Sequence, residues 1–144
     1  MFKFLKRNAQ SAKAELHKVE NRDLMEAIVA GSLLVAFADG ECCDSELQNL
    51  EKLIGANENL KHFGGEINTT IGRFMAMFEA GPRMGKLKAM RELDDIKASP
   101  AEIEEAFVMM VEIAEADGNI DDKEMAVLKE VGGKLGVRLS DFGL

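Results

Sequence analysis

An all-α fold, a single compact domain of about seven helices, is predicted by three features of this 144-residue sequence. Apolar residues recur at spacings of three and four along most of the chain, and no stretch alternates strictly with period two. Only two prolines occur, every aromatic residue is phenylalanine, and Met, Leu, Ala, Glu and Lys are abundant, a composition that favours helices. A helix-hinge-helix unit is also duplicated: ADGECCDSE, Ala38 to Glu46, returns 78 positions downstream as ADGNIDDKE, Ala116 to Glu124. The correspondence pairs Glu26 with Glu104, Ala36 with Ala114, Asp39 with Asp117, Gly40 with Gly118, Asp44 with Asp122, Glu46 with Glu124 and Leu50 with Leu128.

Phe2, Leu5, Ala9, Ala12, Leu16 and Val19 predict an amphipathic helix over 3–20, flanked by Lys6, Lys13 and Lys18. Two seats suit it, the protein's own body or an anionic membrane surface. Residues 1–20 are thus a basic N-terminal helix and 21–144 a helical domain. The second helix, from about Asn21 or Asp23 to Ala38 with Asn21 as N-cap, is apolar almost all round and marks the centre of the core. Its apolar run, Ala27 to Ala38, has 12 residues, too short to span a bilayer.

Leu47, Leu50, Leu53 and Ile54 form the inner face of a third helix, and the linker 58–65 is expected to be irregular and exposed. A fourth helix, about Glu66 to Ala80, turns Ile67, Ile71, Phe74, Met75 and Phe78 to one side and stops at Gly81-Pro82. A fifth, about Met84 to Ala98, carries Leu87, Met90, Leu93 and Ile96. Ser99-Pro100-Ala101-Glu102 starts the sixth with a capping box and proline in the first turn. That helix runs to about Ala116 on Ile103, Phe107, Met110, Val111 and Ala114. The seventh, about Asp122 to Leu135, buries Met125, Leu128, Val131 and Leu135 and ends at Gly136. The final VRLSDFGL turns at Ser140-Asp141 and returns Phe142 and Leu144 to the body.

The net charge of −8 argues against a nucleic-acid partner, because phosphate binding needs a basic surface. Residues 1–22 nevertheless carry six cations against two acids, so a +4 arm precedes a body of −12. Cys42 and Cys43 are adjacent and make no disulfide framework, and no apolar leader precedes them, which together predict a reducing cytosol. Neither His17 nor His62 has ligand company, and no nucleophile, base and oxyanion set can be assembled. The chain is expected to be a non-enzyme without catalytic residues.

Most hinge residues have structural work. Asp121 and Glu124 form a capping box, Gly118 takes a left-handed turn, and Ile120 is an apolar plug. Asp39 and Asp117 are different, because an anion at a helix C-terminus opposes the macrodipole at a cost of roughly 0.3–1 kcal/mol. An Asx-turn, a cation or a basic partner would each compensate. The EF-hand pattern fits only its second half, Asp117, Gly118, Ile120 and Glu124, since Ile113 and Glu115 fall on the first ligand positions. A weaker site built from Asp39, Glu46, Asp117 and Glu124, with Asp44, Asp121 and Asp122 in support, requires the two hinges to converge. Cys42 and Cys43 also suggest thiol chemistry, although Cys42 at the position of Ile120 suits a small core residue.

FADGECCDSE, EADGNIDDKE and the terminal LGVRLSDFGL, together with the basic FKFLKR start, resemble the TerB family of tellurite-resistance proteins over nearly the whole chain. The resemblance implies a compact helical domain and a cytoplasmic protein, peripheral at the inner membrane, that acts as an accessory or adaptor in stress response. It further implies a TerC-like membrane protein and TerD-like calcium-binding proteins as partners. Metal chelation by Asp39, Glu46, Asp117 and Glu124 is implied too. The cation expected at such a site is divalent, calcium or zinc. Lys3, Lys6, Arg7 and Lys13 are the candidate membrane or partner contacts. A divergent calcium sensor is the alternative function.

Overall fold

A computed structural model describes residues 21–40, 42, 44–116 and 118–144. The expected N-terminal helix over 3–20 lies outside the described residues, as do Cys43 and Asp117. The described chain is all-helical: α1 (21–36), α2 (Asp44–Ala56), α3 (Gly65–Ala80), α4 (Pro82–Asp94), α5 (Pro100–Ala114) and α6 (Asp122–Leu135). Short 3-10 turns at Lys61–Phe63 and Leu139–Phe142 complete it. These six helices answer to the second to seventh helices expected from the sequence.

Helix α1 is the centre. Met25, Ile28, Val29, Leu33 and Val35 are fully buried, as an all-round apolar helix must be. Asn21, expected to cap this helix, is already helical and instead sends its Nδ2 to the Asn59 carbonyl oxygen at 3.1 Å. The linker 58–65 also departs from expectation at two positions. Leu60 and Phe63 are buried, Phe63 within the Lys61–Phe63 turn and Leu60 just before it, whereas residues 58, 59, 61, 62, 64 and 65 are exposed as expected.

Helices α3 and α4 form a hairpin with only Gly81 between them, and Pro82 starts α4 where its missing N–H costs nothing. The buried face of α4 is Gly85, Ala89 and Leu93, whereas Leu87, expected inside, is exposed. Small residues win because the two helices approach closely: a Cβ on Gly85 would lie 2.8 Å from the Phe78 Cα. Gly85→Ala is therefore expected to destabilise the protein by about 1–2 kcal/mol, the overpacking penalty outweighing the gain in helix propensity. A urea midpoint equal to or above that of the parent would contradict this packing.

The repeat is reproduced bond for bond. At the end of α1, Phe37 N–H donates to Leu33 O (2.9 Å), Ala38 to Val35 (3.1 Å) and Gly40 to Phe37 (2.9 Å). At the end of α5, Glu115 donates to Val111 (2.9 Å), Ala116 to Ile113 (3.2 Å) and Gly118 to Glu115 (2.8 Å). Gly40 and Gly118 take φ of 96° and 99°, a region that side chains resist. The next helix then begins at the equivalent residues Asp44 and Asp122.

Candidate functional site

Each hinge delivers a glutamate to the third position of the helix that follows it. In α6 the arrangement is a complete capping box: Glu124 N–H donates to Asp121 Oδ1 at 2.7 Å, and Asp121 N–H donates to Glu124 Oε1 at 3.1 Å. Glu46 occupies the same place in α2, half-buried, with its Oε2 shielded from solvent. Ile120 and its counterpart Cys42 both pack against the core, as the plug position requires.

Glu46 and Glu124 are brought close enough to feel each other. Burial first, then the neighbouring carboxylates of Asp121 and Glu46, push Glu124 up to about 7, against the opposing pull of the Asp121 backbone N–H. The two hinges therefore converge electrostatically through one acid from each copy. Asp39, Asp44, Asp121 and Asp122 lie exposed around them. Asp117 falls outside the described residues, and among the described residues no three His, Cys, Asp or Glu side chains are grouped tightly enough to hold a metal ion. The donor set is oxygen-rich, which suits a hard cation such as calcium better than zinc.

A second acidic pair escaped the sequence analysis. Glu92 of α4 is pushed up to about 7, chiefly by burial, then by the charges of Glu26 and Asp95, with Arg73 opposing. Arg73 also reaches Glu26 at 3.8 Å. A carboxyl raised in the folded state binds its proton more tightly there, so stability falls as pH rises from about 4.5 to about 7. Glu92→Gln is expected to flatten this fall and to stabilise the protein at pH 8 by about 1 kcal/mol after allowance for solvent screening. Thermal unfolding at pH 5 and pH 8 checks it, and a Gln variant with the parent's pH dependence would contradict it. The available signal was Glu26, which repeats as Glu104 but faces different neighbours.

The carboxylates of α5 form the other feature missed. Glu104, Val108, Glu112 and Glu115 follow one another at spacings of four, four and three and line a groove of 620 Å³ together with Val137 and Phe142. His62 is exposed beside Phe63, with 4.2 Å between ring centres. No helix among the described residues is long and apolar enough to cross a membrane.

Compared with known protein families, residues 25–144 match the family model described as "Tellurite resistance protein TerB". No curated protein and no solved structure matches the chain.

Proposed function

Because the chain belongs to the TerB tellurite-resistance family, we propose that it is an accessory protein working by binding rather than catalysis, its paired hinges holding a divalent cation or a cationic partner side chain. The observation that carries this reading is the gathering of carboxylates at the second hinge: burial first, then Asp121 and, least, Glu46 of the other copy push Glu124 up to about 7. A positive charge between them would relieve that repulsion. Asp39 stands just past the end of α1, where a cation would also offset the macrodipole. Asp44, Asp121 and Asp122 would lend further negative potential. Calcium fits these donors better than zinc.

A TerC-like membrane protein and TerD-like calcium-binding proteins are the proposed partners, in a cytoplasmic, membrane-associated stress-response complex. Lys3, Lys6, Arg7 and Lys13 would supply peripheral contact with an anionic surface. A divergent calcium sensor is the lesser reading, because the first half of an EF-hand loop is missing. Asp39→Asn combined with Asp117→Asn is expected to leave the fold intact and to abolish calcium binding and tellurite tolerance. Parental binding and tolerance in that double variant would leave both acids with purely structural roles.

A further inference from the structure

The outer face of α5 carries two adjoining grooves, of 620 and 490 Å³, that share Glu104 and Val108. Their described walls hold five carboxylates, Glu104, Glu105, Glu112, Glu115 and Asp141, and no cation. Arg138 answers Asp141 at 3.4 Å, and Asn57 donates to Glu105. Glu104, Glu112 and Glu115 are exposed. Between them the floor is apolar, and Val108 is 41% exposed, one of three large hydrophobic residues so placed among the described residues. An apolar floor between acidic walls is complementary to a basic amphipathic helix.

The chain supplies such a segment. Residues 1–20 contain five cations and two acids, with Phe2, Leu5, Leu16 and Val19 on the predicted apolar stripe. The point of attachment is also close. Asn21 is hydrogen-bonded to Asn59, and Asn57, two residues before it, is bonded to Glu105 in the groove wall. Twenty helical residues reach about 30 Å, more than the roughly 22 Å length of α5. Attachment through a short tether gives an effective concentration of about millimolar, so even a weak contact is populated.

We propose that the acidic groove along α5 is the intramolecular seat of the basic segment 1–20. Docking there competes with the membrane or partner contact of Lys3, Lys6, Arg7 and Lys13, and it does not depend on cation binding at the hinges.

Amide spectra of the full chain test this without altering the core. Reversing the segment's charges with Lys6→Glu, Arg7→Glu and Lys13→Glu is expected to shift the amide signals of Val108 and Glu112 while leaving those of α4 in place. In a Glu104→Lys, Glu112→Lys, Glu115→Lys background, whose substituted residues are all exposed, the parental segment is expected to be released. Adding the segment reversal to that background is expected to restore docking, a charge swap that a merely damaged fold would not reproduce. Unmoved α5 signals on reversal of the segment would overturn the proposal. So would a response that ignores the groove charges, or α5 shifts that appear only when anionic phosphatidylglycerol vesicles are added.

Discussion

Phe107→Ala is expected to lower the unfolding free energy by about 3–5 kcal/mol, because it removes a large buried ring from a site with little room to collapse. Phe107 is fully buried on the inner face of α5, and its ring meets that of Phe142 edge-on at 4.7 Å. Loss of the ring thus undermines both the repeat's second copy and the seating of the C-terminal turn. Since a domain of this size is stable by roughly 5–15 kcal/mol, one substitution would remove a third or more of the total in the less stable half of that range. Urea denaturation checks it through the midpoint at unchanged slope. A loss below about 1 kcal/mol would mean that the ring is not part of the close-packed core.

Calcium binding at the hinges is expected to weaken as pH falls through about 7, because a proton and a cation compete for Glu124. Glu124→Gln preserves the capping geometry while removing the charge. It is expected to reduce calcium affinity at pH 8 by about tenfold or more, since each carboxylate ligand of a hard-cation site contributes both charge and donor oxygens. The same substitution has an opposite effect on the cation-free fold. A raised carboxyl costs stability above about pH 7 and none below about pH 4.5, so the variant is expected to be more stable at pH 8 and unchanged at low pH. Calorimetry at pH 6 and pH 8, with thermal unfolding of both proteins, separates the two consequences. Parental affinity in the Gln variant would remove Glu124 from the site.

The hinges were legible in the sequence because their geometry depends on local, repeated chemistry. A glycine at positive φ, an apolar plug and a cap each leave a residue-specific mark, and 78-residue repetition exposes them even where Cys42 replaces the apolar plug. Element types were legible for the same reason. The buried face of α4 was not, because a three-four stripe draws attention to Leu87 while the helix hairpin closes on Gly85 and Ala89. Leu60 and Phe63 lie in a segment with no periodicity, so their burial follows from tertiary contact alone. The electrostatic influence of Glu46 on Glu124 was only a condition in the sequence, since residues so far apart approach through packing that no single motif encodes. The Glu92 and Glu26 pair likewise arises between two helices whose relative placement is set by the core.

A proton–nitrogen NMR titration of the full chain with calcium, zinc and manganese tests the central claim most directly, because it detects cation binding and locates it together. Calcium is expected to move the amide signals around Asp39, Glu46, Asp121 and Glu124 in one saturable event that involves both hinges. Manganese is expected to broaden the same signals, and zinc to perturb them less at equal concentration. Signals at both hinges that stay unmoved by all three cations, or shifts confined to other acidic surfaces such as the α5 groove, would contradict the account.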